Sequence, residues 1–322
     1  MAVFHAFAID GQGNARAIDT PDGSLRDGDL RDGEWRWVHL DRAQPTADAV
    51  LTQLRIDADE REDLLSEETR PRLTAVEDGT IVILRAVNLN PGAAAHETLA
   101  LRMFVRDDLV VSLRRDRIFA VADMRARYET GRGPASPLAL VAALCEGLTR
   151  RIAETVDALE DRLDAIEVDA LTLVDQRLRE RLGDVRRSVV PLRRYVLPQR
   201  DVVAGLADAD LAGQTPELRD DIVQQAEETQ RLVEVLETLR ERAALIGEEI
   251  AAELADRLNR NTYALSIIAA IFLPLGFLTG LLGINVGGMP GTQSEHAFWI
   301  VVALCVAAAA FVVWLLRRAR LM

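Results

Sequence analysis

Two stretches near the C-terminus interrupt a chain that otherwise mixes apolar and charged positions throughout. Tyr263 to Gly283 runs 21 residues, and Ala297 to Leu316 runs 20, without an Asp, Glu, Lys or Arg. As helices at about 1.5 Å per residue, each is about 30 Å long, the thickness of a bilayer's hydrocarbon core. The pattern therefore predicts two membrane-spanning helices. Upstream, VFHAFAID, WRWVHLD, TIVILRAVNLN, TLALRMFVRDD and LVVSLRR are strand-length runs bounded by Asp, Gly, Asn and Pro. ADAVLTQLRIDADEREDLLSEET, between the second and third runs, has helical spacing, and DRIFAVADMRARYE reads as an amphipathic helix. Together they predict an α/β domain that ends in the Gly- and Pro-rich TGRGPASP, Thr130 to Pro137.

Beyond that boundary nearly every segment reads as helix. Leu148, Ile152, Val156, Leu159, Leu163 and Ile166 recur at steps of three and four, predicting a helix from Leu138 to about Leu182. An Arg-rich helix is predicted around Leu171 to Tyr195. After GLADADLAGQTP a third begins near Glu217. Unless Gly247 interrupts it, this helix runs 67 residues to Gly283, approaching about 100 Å. Such a helix needs partners along its length, either the two helices before it or copies of itself. The expected class is an α+β membrane protein: an α/β domain over 1–135, a helical stalk over 136–262, a first span over 263–283, a loop over 284–296, a second span over 297–316 and a basic tail over 317–322.

Composition adds an orientation and several exclusions. The net charge of -13 and the 28% charged content belong to the N-terminal part and mask the two spans. Arg257 and Arg260 precede the first span, and Arg317, Arg318 and Arg320 follow the second, while the loop between them has no Arg. Positive flanks stay in the cytoplasm, so both termini are expected there. MAVFHAFAIDGQGN lacks the basic and apolar regions of a signal peptide. Cys145 and Cys305 are expected to be packing residues, not a disulfide. All 38 basic residues are Arg, which removes the Lys of a Walker A loop or a Schiff base and with it an ATP-driven P-loop pump within the chain. His5, His39, His96 and His296 form no HxxH and there is no CxxC, so no dedicated dehydrated metal site is expected. No nucleophile motif, catalytic residue, cofactor site or nucleic-acid partner is expected either, so an enzyme is not.

Stepping back from Gly280 by four and three gives Gly276, Leu273, Ala269, Ser266, Thr262 and Asn259, all small or polar apart from Leu273. Such a seam fits copies packed round a pore, with Leu273 as a hydrophobic constriction, and fits equally a close-packing GxxxG face. The segment FLTGLLGINVGGMPG favours the pore. Asn285, beside Gly283 and Ile284, can accept hydrogen bonds from the water shell of a cation, and a ring of copies would hold a hydrated divalent ion. Glu295 and His296 would add cation attraction in the same loop, or simply solvate it. Glu154, Asp157, Glu160, Asp161, Asp164 and Glu167, and also Glu248, Glu249, Glu253 and Asp256, either bind regulatory cations or form solvated faces paired with Arg; interleaved Arg favours the second.

YALSIIAAIFLPLGFLTGLLGINVGGMPG, with the short loop and Arg-ended second span after it, resembles the CorA superfamily of divalent-cation transporters. WRWVHLD, RPRL, LRMFVRDDLVVSL and LGDVRRSVVPLRRYVLPQRDVVAGL extend the resemblance over essentially the whole chain. That family's usual signature is Gly-Met-Asn followed by Met-Pro-Glu. Here Gly283, Ile284 and Asn285 precede Met289, Pro290 and Gly291, which is similar to the ZntB-like zinc branch. The resemblance implies a funnel-shaped homopentamer in the bacterial inner membrane, with the first span lining the pore and Gly283, Ile284 and Asn285 at its external mouth. It implies uptake of Zn2+, with Co2+, Ni2+ and Mg2+ as further ions, and proton coupling, although neither span holds an Asp, Glu or His. Magnesium and cobalt passage is the alternative within transport; a membrane-anchored scaffold or sensor is the alternative outside it.

Overall fold

A computed structural model of the chain describes all residues except 1, 21–24, 26–29, 68, 94–96, 173–174, 210, 212, 284–293 and 319–322. The described residues divide into two compact units, Met1–Gly247 and Glu248–Met322.

In the first unit seven strands form one sheet: β1 (Val3–Ile9), β2 (Ala15–Ala17), β3 (Trp35–Asp41), β4 (Arg72–Val76), β5 (Gly79–Val87), β6 (Thr98–Arg106) and β7 (Leu109–Arg114). Their spatial order is β2-β1-β3-β7-β6-β5-β4, antiparallel everywhere except between β3 and β7. The five strand-like runs of the sequence become β1, β3, β5, β6 and β7. The helical stretch after β3 is two helices, α1 (Ala47–Gln53) and α2 (Ala58–Leu65), not one. Arg55 between them takes a positive φ of 60°, which no residue can hold inside a right-handed helix.

Both faces of the sheet are covered, which is why its central strands read as continuous apolar runs. One face carries α1, α2 and a core containing Val38, Leu51, Ile83 and Phe104. The other carries α3 (Phe119–Glu129), α4 (Pro137–Ala170) and the end of α5 (Gln176–Leu206), around Phe7, Trp37, Tyr128, Leu144 and Val203. Tyr128 Oη donates to the carbonyl of Pro134 at 2.9 Å. Gly133 lies so close to that ring that a Cβ would overlap it. Cys145 is buried in this core, and burial pushes its thiol up to about 12.

Cap chemistry sets the helix bounds that periodicity left overlapping. Ser136 Oγ accepts from Ala139 N at 3.2 Å, with Pro137 in the first position of α4. Asp175 Oδ1 accepts from Leu178 N at 2.8 Å and starts α5, so α4 ends at Ala170 instead of near Leu182. Pro191 and Pro198 lie inside α5.

The last two helices are α6 (Pro216–Leu282, 67 residues) and α7 (Ala297–Arg318). Gly247 does not break α6; a Cβ there would make ordinary contacts with Leu182 and Arg186 at 3.7 Å. Up to Ile246 the helix buries Ile222, Thr229, Leu232, Val233, Leu236, Leu239, Ala243 and Ile246, a stripe at steps of three, four and seven.

Candidate functional site: the first span and its loop

The second unit holds two helices of the length and hydropathy of a membrane span, with mean hydropathy 2.3 in α6 and 2.7 in α7 over the most apolar window, and neither window is buried. Asn259, Thr262, Ser266, Ala269, Leu273, Gly276 and Gly280 all lie in α6 and all are exposed, Leu273 at 71%. At about 100° per residue they share one side of the helix. Partly covered positions are Ile267, Ala270, Ile271, Leu275 and Leu278; all but Ala270, which borders the seam, fall toward the opposite side. The chain's own fold thus leaves this side of α6 bare, together with bulky residues such as Leu265, Ile268, Phe272 and Phe277.

Local hydrogen bonding decides what the hydroxyls of this segment can offer, Ser266 on that side and Thr279 beside it. Ser266 Oγ donates to Thr262 O at 2.9 Å, and Thr279 Oγ1 donates to Leu275 O at 2.9 Å. Each hydroxyl proton is therefore taken up by the helix's own backbone, and the oxygen lone pairs are left for a water shell or a neighbouring helix. A Cβ added at Gly276 or Gly280 would meet nothing within 4 Å. At Gly283 it would come within 3.1 Å of Thr279 O, because Gly283 N closes the helix onto that same carbonyl at 2.9 Å. A side chain is therefore crowded at the point where α6 ends. Pro274 sits inside the helix without ending it.

Ile284, Asn285, Met289, Pro290 and Gly291 lie outside the described residues. Glu295 and His296 are exposed in the turn that leads into α7, where Ala297 N bonds Ser294 O at 3.2 Å and Ile300 N bonds His296 O at 3.1 Å. Glu295 stands just before the positive end of α7, a favourable place for a carboxylate. Before the first span Glu253 Oε1 accepts from Arg257 Nε at 2.8 Å and lies 3.8 Å from Arg260. The hydrogen bond from Arg257 holds the Glu253 carboxyl below its usual range.

The acidic side of α4 has a partner that periodicity along one helix could not supply. Arg242 of α6 lies 2.6 Å from both Asp164 and Glu167 and 4.0 Å from Glu160. One guanidinium thus occupies the carboxylates most able to gather a cation. Among the described residues no three His, Cys, Asp or Glu side chains converge as a metal site would require.

Comparison with known proteins gives a consistent picture. The family model described as "CorA-like Mg2+ transporter protein" matches residues 32–318. The divalent cation transporter CmaX of Pseudomonas aeruginosa is 36% identical over 99% of this chain and 96% of its own, and the full-length CmaX structure superposes with a TM-score of 0.82 over 99% and 98% of the two chains. The zinc transport protein ZntB of Pectobacterium carotovorum is 32% identical over 98% and 95%. The CorA magnesium transporter of Methanocaldococcus jannaschii shares the fold, with a TM-score of 0.79 over 99% of each chain at 21% identity.

Proposed function

The chain belongs to the CorA-like Mg2+ transporter family, and on that premise we propose that it carries divalent cations, zinc foremost, into the cytoplasm through a homopentameric pore lined by α6. The observation that supports this most directly is the exposed run of small and polar residues along one side of α6, which ends at Gly283, next in sequence to Ile284 and Asn285. Asn285 selects a hydrated ion there by accepting from its water shell, Leu273 closes the path as an apolar constriction, and Glu295 and His296 draw cations to the entrance. Both termini face the cytoplasm of the bacterial inner membrane. A negative interior then favours entry of each divalent ion by about 4.6 kcal/mol per 100 mV, so inward flux needs no nucleotide. Similarity to a zinc transport protein supports our ordering of Zn2+ ahead of Co2+, Ni2+ and Mg2+.

Flux into liposomes, measured for Zn2+, Mg2+, Co2+ and Ni2+ in competition, tests the assignment. Zinc is expected to enter at least about tenfold faster than magnesium, and Asn285→Ala to lose at least that factor; RT ln 10 corresponds to about 1.4 kcal/mol of mouth binding. Equal zinc and magnesium rates would move the protein to the magnesium and cobalt alternative. Absence of any divalent flux, together with a dimeric mass, would leave a membrane-anchored scaffold instead.

A further inference from the structure

Within Met1–Gly247 the sheet assembles a polar row that ion passage through the spans does not use. Register places His5 opposite His39 and His39 opposite Ser112, and Arg114 follows Ser112 by two residues on the same face of β7. Trp37 Nε1 donates to Ser112 Oγ at 2.8 Å, and Arg114 Nε donates to His39 Nε2 at 2.9 Å. Because that nitrogen accepts, His39 carries its proton on Nδ1, 2.8 Å from Ser112 Oγ. His39 is a neutral, fully satisfied ring. His5 differs: it stacks on His39 with ring centroids 5.0 Å apart, but its Nε2 is buried without a hydrogen-bond partner. Burial, with Arg125 and Arg114 nearby, holds its pKa down to about 3, so it too is neutral.

These rings line an open cavity of about 220 Å3 that is bordered by Arg114, Arg117, Arg125 and the first turns of α3. Among the described residues no carboxylate lines it. Arg125 is paired with Glu129 at 2.8 Å, and Asp41 and Asp116 act on Arg114 from outside the lining. Arg114 and Arg117 lie over the rings of Phe4 and Phe119, at 4.2 and 4.8 Å, which orients both without neutralising them. The N-terminus of α3 adds to this field: Ile118 supplies no side-chain cap, and the first turn has no acidic residue. It also stands beyond the carboxyl ends of the parallel pair β3 and β7, the position where open sheets place anions on a helix start. Two histidines in a transporter of metal ions suggest a metal site, but three guanidiniums and no carboxylate repel a cation, and His39 Nε2 is already occupied by Arg114.

We propose that this cavity binds a free phosphate-class oxyanion, held by Arg114, Arg117 and Arg125 with His5 Nε2–H as a neutral donor. Its small volume suits a free anion better than a lipid headgroup. Isothermal titration of the full-length protein in detergent with inorganic phosphate, at fixed ionic strength and pH 7.5, tests it. Saturable binding at one site per chain is expected. Arg117→Gln should weaken it at least tenfold and Arg117→Glu should abolish it; Arg117 is exposed, and an unchanged melting curve confirms that both variants fold. Arg70→Gln, an exposed arginine outside the cavity, should bind as the wild type does. Failure of the wild type to bind phosphate, or equal binding by the wild type and Arg117→Glu, would overturn the proposal. So would a zinc-binding signal that His5→Gln removes and Arg117→Glu does not.

Discussion

In Met1–Gly247 most large apolar side chains are inside: Trp37, Tyr128 and Phe104 are each less than 2% exposed. In Glu248–Met322 the corresponding side chains are outside, with Phe272, Phe277, Phe298 and Trp299 exposed at 66%, 69%, 69% and 70%. Polar groups follow the same division. Ser112 in the first unit takes a hydrogen bond from Trp37, 75 residues away, whereas Ser266 and Thr279 in the second bond only carbonyls of their own helix. The first unit completes its burial and hydrogen bonding through contacts distant in sequence. The second satisfies its backbone within each helix and leaves its apolar surface for lipid or further copies to cover, the condition set by a solvent that offers no hydrogen bonds.

The comparison can be broken most sharply by truncating one aromatic in each unit. Trp37→Ala removes a fully buried ring and its bond to Ser112 and should cost about 3–5 kcal/mol, read as a fall in the denaturation midpoint by circular dichroism of the full-length protein in detergent. Phe277→Ala, already exposed, should cost less than about 1 kcal/mol in the same assay; an equal loss would mean that the second unit buries its side chains as the first does. A smaller effect is expected on the bare side of α6. A Cβ at position 280 would meet nothing within 4 Å in a single chain, so Gly280→Leu should leave the protomer unaffected. If copies pack on that side, overpacking should cost the assembly about 1–3 kcal/mol, seen as a shift toward monomer in native mass spectrometry.

The mildest test uses pH. Burial, then His5 and Arg114, hold the folded pKa of His39 below its ordinary value of 6.5. The unfolded chain takes up that proton as pH falls through about 6.5 and the folded protein does not, so this contribution is complete above 6.5 and is lost progressively below it. Between pH 6 and 5 the slope from one such group approaches about 1.4 kcal/mol per pH unit. Comparing melting midpoints over that range, His39→Gln should lie on a flatter curve than the wild type; parallel curves would show that His39 protonates as readily folded as unfolded.

Length and periodicity were enough for much of this architecture. The central strands β1, β3, β5, β6 and β7 announce themselves as apolar runs because both faces of the sheet are covered. β2 and β4 do not: they are edge strands of three and five residues with no fully buried position, and an edge needs little hydrophobic pattern. The break between α1 and α2 carries no Gly or Pro; it is held by Arg55 in a left-handed conformation, which only the surrounding packing selects. In the second unit the seam from Asn259 to Gly280 was legible because a helix repeats every few residues, so neighbours on its surface are neighbours in sequence.

By itself, then, the sequence determined two apolar helices of membrane-spanning length, the small and polar repeat along the first of them and the family to which the chain belongs, whereas the structure decided that Gly247 leaves α6 unbroken. What the sequence determined depends on local spacing or on contiguous motif residues. Only the tertiary structure decided that Arg242 occupies Asp164 and Glu167, and that His5, His39 and Arg114 meet in one cavity with Arg117 and Arg125. Strand pairing and helix packing join positions dozens of residues apart, and no period along the chain encodes which of them will meet.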